Sequence, residues 1–173
     1  MLIAREFTIN DQQKVKDFVD EINNTDQNFE GLNIITHSKD YDLFLKELLV
    51  NKHLGRITPP NIHQTTYGIF ENDELIGGFN LRHELTKHTI NHGGHIGYLI
   101  RPSKRNKGYG TKLLKLALEE AKKLNIKNVL ITCNINNKAS EKVILNNGGI
   151  YENNYFEEIE NETYKRYWIN LEK

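Results

Sequence analysis

Apolar and polar positions near the N-terminus first alternate and then recur at helical spacing. Residues 2–9 alternate loosely, which predicts a first strand. Asn10 and Asp11 offer a helix cap, and the apolar positions that follow have the spacing of one helix face: Val15, Phe18, Val19 and Ile22. Ser38 is the predicted cap of a second helix, whose apolar side carries Tyr41, Phe44, Leu45, Leu48 and Leu49. Thr58-Pro59-Pro60 is expected to end that helix.

The rest of the chain predicts strands interrupted by helices. Residues 66–70 and 75–83 form a predicted hairpin, and residues 95–101 a further strand. A helix follows, with a regular apolar side made by Leu113, Leu114, Ala117, Leu118, Ala121 and Leu124. Residues 128–133 are a nearly unbroken apolar run, typical of a strand covered on both faces. A last helix is predicted over residues 137–146, and a closing hairpin over residues 150–157 and 163–171.

This order of elements, β-α-α-β-β-β-α-β-α-β-β, predicts the fold class. It indicates an α/β (α+β) protein in which helices flank a mixed, mostly antiparallel central sheet. The chain has 173 residues and no internal repeat, so we expect one domain over residues 1–173.

The charge balance and the cysteine content exclude several kinds of partner. Lys+Arg and Asp+Glu both number 23, so the chain as a whole does not attract nucleic acid or anionic lipid. Cys133 is the only cysteine, which excludes an intramolecular disulfide and argues against a thiolate zinc site. Charges at Arg5 and Glu6 interrupt any apolar leader, and no run has the length of a membrane span. We therefore expect a cytoplasmic protein without membrane or nucleic-acid partners, and a homodimer stays open.

The most informative segment is residues 100–111, which join a predicted strand to an amphipathic helix. Amide groups at a helix start have no partner within the helix, and the helix dipole adds positive potential there. Gly108 and Gly110 leave room for a ligand, while Lys104, Arg105 and Lys107 add charge. The segment therefore predicts a pyrophosphate site. It lacks the lysine of a P-loop and the third glycine of a dinucleotide fingerprint. A solvated basic turn is the plain alternative.

Two motifs resemble those of one family. Arg105-x-x-Gly108-x-Gly110, after Leu99-x-Arg101-Pro102, resembles the coenzyme A loop of the GNAT superfamily of N-acetyltransferases. Asn137-x-x-Ser140, followed by Asn147-Gly148, is similar to the signature that opens the family's last helix. One helix and one strand separate the two motifs, as in the family. The predicted element order is also the family's order, so the resemblance covers nearly the whole chain.

The resemblance implies acetyl-CoA as co-substrate and no metal. It implies that the pyrophosphate is held by the loop residues Lys104, Arg105, Asn106, Lys107, Gly108, Tyr109, Gly110 and Thr111. The backbone of Leu99 and Ile100 would pair with the pantetheine arm like an added strand. Asn137 would lie near the thioester.

The chain departs from the family at the groups that move protons. Attack on the thioester needs a neutral amine, so a base or a water chain must accept a proton. Family members often place a glutamate on the strand before the loop, where this chain has no acid. His95 is the first replacement candidate, because the unperturbed pKa of histidine lies near neutral pH. Glu84 is the second. The alternative for His95 is a role in packing or hydrogen bonding within the sheet.

The usual acid of the family is also missing. It is a tyrosine seven residues after the helix-opening asparagine, and that position here is Ile144. Tyr98, Tyr151 and Tyr155 are possible substitutes for the tyrosine that protonates the leaving thiolate. Each of them could instead be a core or hairpin aromatic.

The end of the strand over residues 75–83 is the predicted acceptor site. Arg82 and His83 lie there, and an arginine can bind a carboxylate by two parallel hydrogen bonds. This favours a small acceptor with an amine and a carboxylate, such as an amino acid or a peptide end. The alternative is that Arg82 pairs with Glu84 or another carboxylate of the protein.

Other functions remain open at this stage. The chain could bind coenzyme A without catalysis, or acetylate a protein, a polyamine or an aminoglycoside. A metal site is not expected, since the clustered histidines straddle two strands and a turn: His83, His88, His92 and His95.

Overall fold

The computed structural model describes residues 1–25, 40–54 and 62–172. Its strands are β1 (Leu2–Glu6), β2 (Gln64–Glu71), β3 (Glu74–Arg82), β4 (Ile96–Ile100), β5 (Asn128–Asn134), β6 (Ile150–Glu157) and β7 (Glu162–Asn170). Its helices are α1 (Gln12–Thr25), α2 (Tyr41–His53), α3 (Tyr109–Lys123) and α4 (Lys138–Asn146), with short 3-10 turns at Ile9–Asp11 and Pro102–Lys104. The predicted order of elements is thus confirmed.

The strands form two antiparallel sheets, in the orders β1-β2-β3-β4 and β5-β7-β6. No ladder joins β4 to β5 in the described parts of the chain. The two strands meet just before β4, where the His95 N–H donates to the Leu130 carbonyl (2.7 Å). The Leu130 N–H in turn donates to His95 Nδ1 (2.9 Å). The single central sheet that the sequence predicts is therefore divided at this point.

Two apolar clusters cover opposite faces of the first sheet. Ile100 and Ile96 pack with the apolar side of α3, while Leu99 packs with Phe18 of α1 and Phe44 of α2. Successive strand residues point to opposite faces, so β4 contributes to both clusters. Among the helices described, none has the length and apolar character needed to cross a bilayer.

The helix starts differ in detail from the prediction. Asp40 caps α2, because its carboxylate accepts hydrogen bonds from the amides of Asp42 and Leu43. The predicted cap Ser38 and the predicted stop at residues 58–60 lie outside the described residues. Before α1, the chain makes the 3-10 turn Ile9–Asp11, so β1 ends three residues earlier than predicted.

Asp11 is a fully buried carboxylate that ties this turn to β1. It accepts two hydrogen bonds from the Arg5 guanidinium, both 2.7 Å long. It also accepts from the Thr8 amide and the Thr8 hydroxyl, each at 2.9 Å. The hydrogen bonds from Arg5, followed by those from Thr8, outweigh the effect of burial and hold the pKa of Asp11 well below its usual range.

We predict that Asp11→Asn lowers the free energy of unfolding by about 2 kcal/mol at pH 7, because charged hydrogen bonds are lost at a buried site. The Asp11 pKa is lower in the folded than in the unfolded chain. The carboxylate therefore stabilises the fold above about pH 4, and this contribution is lost as pH falls further. Urea unfolding of wild type and variant should show their difference shrinking below about pH 4.

Asp73→Asn is the matched control, since Asp73 pairs with Lys14 while its own side chain is 77% exposed. We expect that change to cost less than about 0.5 kcal/mol. Equal losses in the two variants would contradict the role given to Asp11.

Candidate active site

The start of α3 presents amide groups that have no recorded partner among the described residues. The first hydrogen bond of the helix runs from the Lys112 N–H to the Gly108 carbonyl (3.3 Å). The amides of Tyr109, Gly110 and Thr111 therefore precede the helical ladder. Gly108 caps the helix in the left-handed conformation, with φ of 78°. Together with the helix dipole, such amides are suited to an anion, as the prediction of a pyrophosphate site requires.

The two glycines of this loop have different roles. No described atom lies within 4 Å of the position that a Cβ would take at Gly108. At Gly110 a Cβ would lie 3.0 Å from Cγ2 of Val143 on α4. Gly108 therefore leaves open space beside the helix start, whereas Gly110 allows close packing of α3 against α4. The expectation that both glycines make room for a phosphate is corrected for Gly110.

The basic side chains of the loop already have partners in the protein. Lys104 Nζ donates to Glu74 (2.6 Å), and Lys107 Nζ donates to the Ser103 carbonyl (2.8 Å). Arg105 Nε donates to the Ile100 carbonyl (3.1 Å). Glu74 thus offsets the charge of Lys104, whereas these bonds of Lys107 and Arg105 go to neutral carbonyls and leave their charge to add to that of the helix start.

The outer edge of β4 is set by its pairing with β3. The Arg101 N–H donates to the Ile76 carbonyl (3.0 Å), and at the other end the Arg82 N–H donates to the His95 carbonyl (2.8 Å). Backbone groups alternate along an antiparallel strand, so those of Gly97 and Leu99 also face β3. Those of Ile96, Tyr98 and Ile100 face away from it. We define these outward groups as the outer edge of β4.

This register corrects one predicted contact with the pantetheine arm. Leu99 lies opposite Gly78, and its backbone is directed at β3. Tyr98 takes its place on the outer edge, together with Ile100, which was also predicted. Backbone direction alternates along a strand, so Tyr98 faces the same side as Ile100, which lies two residues later. The sequence gives this spacing, but it does not show which side faces β3.

Tyr98 and Asn137 are brought together through Ser140. The Tyr98 hydroxyl lies 2.8 Å from Ser140 Oγ, and Asn137 Oδ1 accepts the Ser140 N–H (2.9 Å) to cap α4. Burial raises the pKa of Tyr98 above its ordinary value, so the phenol keeps its proton at neutral pH. Ser140 belongs to the second sequence motif, but the sequence assigned it no contact. Ile144 is fully buried in the core, so its position supplies no acid.

The surroundings of His95 argue against the prediction that it accepts a proton. The ring is 7% exposed, and Nδ1 already accepts the Leu130 N–H, which places the proton of the neutral ring on Nε2. Burial, with the nearby charge of Arg82, lowers the pKa of His95 to about 4. Such an imidazole is a weak base at neutral pH, and its free lone pair is in use. His95 instead joins β4 to β5.

The predicted acceptor residues lie at one end of β3 with partners of their own. Arg82 Nη1 donates to the carbonyls of Gly93 (2.9 Å) and Gly94 (3.0 Å), and so holds the β3–β4 loop. His83 Nε2 lies 2.9 Å from Thr65 Oγ1, and burial lowers its pKa. Glu84 is exposed and lies 3.1 Å from His63 Nδ1. Arg82 thus binds backbone carbonyls of the β3–β4 loop.

The clustered histidines do not converge on one point. His92 packs on the ring of Tyr164, with centroids 3.9 Å apart, and makes an edge contact with His88. His95 points to Leu130 instead. The described residues contain no group of three or more side chains placed to hold a metal ion.

The comparison with protein families decides the identity of this fold. A family model described as an acetyltransferase (GNAT) domain matches residues 5–150, from β1 to the start of β6. The chain belongs to the GNAT family. It is therefore an acetyl-CoA-dependent N-acetyltransferase, with acetyl-CoA as co-substrate. No curated protein sequence matches the chain significantly.

Solved GNAT structures share the fold at low sequence identity. RimJ from Mycobacterium smegmatis, in complex with a CoA disulfide, has a TM-score of 0.77 at 15% identity, covering 99% of this chain and 82% of its own. The ribosomal L7/L12 α-N-protein acetyltransferase RimL, in complex with CoA, has a TM-score of 0.71 at 16% identity (98% and 93% covered). The spermidine/spermine N-acetyltransferase SpeG from Vibrio cholerae has a TM-score of 0.64 at 18% identity (99% and 94% covered).

We predict that the His95→Asn variant of this GNAT enzyme keeps kcat within about threefold of wild type. The amide oxygen of asparagine lies as many bonds from the backbone as Nδ1 does, and it can accept the Leu130 N–H. His95→Ala leaves that amide buried and unpaired, so we expect a loss of about 1–3 kcal/mol in stability. Urea unfolding and acetyl-transfer kinetics measure both effects. A loss of kcat by about a hundredfold in both variants would restore His95 as the proton acceptor.

Proposed function

We propose that this enzyme transfers the acetyl group to the primary amine of a small acceptor, such as an amino acid or a peptide N-terminus. The transfer takes place by direct attack in a ternary complex. The observation that carries this proposal is the arrangement of the open helix start of α3 beside the outer edge of β4. The helix start offers N–H groups to a pyrophosphate. The outer edge of β4 offers backbone groups to the amides of a pantetheine arm.

The outer edge of β4 also suits the chemistry of the thioester. In the reaction the amine nitrogen bonds to the acetyl carbon, and the carbon–sulfur bond then breaks. The tetrahedral intermediate carries an oxyanion, which backbone N–H donors stabilise. The N–H groups of Ile96 and Tyr98 face away from β3, so they are the donors we assign to this oxyanion.

Two side chains are the candidates for moving protons. Tyr98 lies on the outer edge of β4, and its hydroxyl is beside Ser140, so we assign it the protonation of the leaving thiolate. Glu84 is the leading base for the attacking amine, because its exposed carboxylate lies two residues after the end of β3. A water molecule can carry the proton between either of these side chains and the reacting groups. Much of the rate enhancement then comes from positioning.

The cofactor site is tested by Gly108→Asn. Asparagine tolerates the left-handed conformation, so the fold should survive, but its side chain would occupy the open space at the helix start. We predict that the dissociation constant for acetyl-CoA, measured by titration calorimetry, rises at least about tenfold, or 1.4 kcal/mol. Gly148→Asn is the matched control, because Gly148 also has positive φ (83°) and open space around it. Unchanged affinity in a folded Gly108→Asn protein would overturn the site.

Tyr98→Phe tests the assigned acid. The variant keeps the ring in place and removes only the hydroxyl group. We predict that kcat falls by about a hundredfold while the KM for acetyl-CoA changes little. Thiol release from acetyl-CoA with an amine panel gives both constants. Ser140→Ala removes the partner but keeps the phenol, so its kcat should fall much less. Equal activity of wild type and Tyr98→Phe would leave the thiolate to be protonated by water.

A further inference from the structure

A row of buried polar side chains lies on the face of the first sheet opposite α3. Leu99 packs toward α1 and α2, so Gly97, two residues earlier on β4, shares that face. Asn80 on β3 lies opposite Gly97, and Thr66 on β2 lies opposite Asn80. Gln64 lies two residues before Thr66, on the same face. We call Gln64, Thr66 and Asn80 the polar row.

Among the described residues, the space beside Gly97 on β4 is open. No described atom lies within 4 Å of the position that a Cβ would take at Gly97. The other face of the same strands is filled, because Phe79, Leu81 and Ile96 pack there against α3. A molecule that reaches the outer edge of β4 across this sheet must therefore come over Gly97 and the polar row.

The polar row holds one buried hydrogen-bond donor without a partner among the described residues, and a second amide beside it. Gln64 is 2% exposed, and its buried Nε2 has no hydrogen-bond partner among the described residues. Asn80 is 6% exposed, and its Oδ1 accepts from the Thr66 hydroxyl (2.7 Å), which directs its NH2 group away from Thr66. A buried donor without a partner costs about 1–3 kcal/mol, so such a group calls for a ligand.

The charge around these donors selects the kind of ligand. Arg82 lies opposite Gln64 at the end of the row, and the polar row itself contains no carboxylate. Amide NH2 groups donate to oxygen, and a neighbouring guanidinium repels ammonium groups. The row therefore suits the carbonyl oxygen of an acceptor. It does not suit the additional ammonium groups of a polyamine.

We infer that Gln64 and Asn80 form a carbonyl-binding subsite that selects the N-terminus of a peptide as acceptor. Their NH2 groups bind backbone carbonyl oxygens of the peptide, and its terminal amine lies over Gly97 beside the outer edge of β4. Neutral donors match neutral peptide carbonyls. This inference rests on the proposed acetyl transfer and names the acceptor within it.

Asn80→Asp tests the subsite because it keeps the shape and replaces the NH2 group by an oxygen. The acceptors are alanine tripeptide amide, free alanine and spermidine, assayed by thiol release at saturating acetyl-CoA. Wild type should prefer the tripeptide amide. Asn80→Asp should raise the KM for the tripeptide about tenfold or more, through a lost hydrogen bond and a new repulsion, while its KM for spermidine falls. The dissociation constant for acetyl-CoA should stay unchanged.

Asn154→Asp is the control, since it adds the same charge at an exposed position of β6 and should alter neither KM. Gln64→Glu makes the corresponding change on β2. If Asn80→Asp does not fold, the KM of Gln64→Glu for the tripeptide tests the subsite instead.

The outcomes separate this inference from the proposed function. Preference of wild type for spermidine, or an unchanged tripeptide KM in both folded variants, overturns the subsite and leaves acetyl transfer standing. Absence of turnover with every amine, despite acetyl-CoA binding, overturns the proposed function and the subsite with it.

Discussion

The two hydrogen bonds between His95 and Leu130 are the constraint on which the site depends. They join the two sheets just before β4, and beyond them no ladder joins β4 to β5 in the described residues. An unpaired strand edge is costly in a protein interior unless a ligand satisfies it. Gly94 makes the junction possible, because a Cβ there would lie 2.4 Å from the Leu130 carbonyl oxygen. The outer edge of β4 thus exists because, in the described residues, backbone hydrogen bonds link this segment to β5 just before β4 and not along it.

Burial keeps two titratable side chains neutral: Tyr98 on β4 and His95 just before it. It lowers the pKa of His95 to about 4 and raises that of Tyr98, so both side chains are neutral near pH 7. A neutral His95 can accept the Leu130 amide, and a neutral Tyr98 can donate a proton. In the proposed mechanism, electrostatic stabilisation of the oxyanion therefore comes from oriented backbone amides of β4.

Amide groups also have a binding role in the proposed cofactor loop and on the face of the first sheet opposite α3. Glu74 offsets the charge of the loop residue Lys104, and the amides at the start of α3 add positive potential beside it. On the face of the sheet opposite α3, amide side chains take the place of carboxylates. A chain with a formal net charge of zero can in this way bind an anionic cofactor and, in our inference, a neutral peptide.

The sequence by itself determined the order of elements, the helix start after β4 and the family, because each depends on local spacing. The hairpin turn at Asn72–Asp73 and the helix cap at Asn137 are two such local features. Each depends on residues only a few positions apart in the chain. Only the tertiary structure decided the role of His95, whose partner Leu130 is 35 residues away. It also decided which β4 backbone groups face outward and that Gly110 packs on Val143. The physical reason is that strand register and long-range contacts fix these features, and local spacing does not encode them.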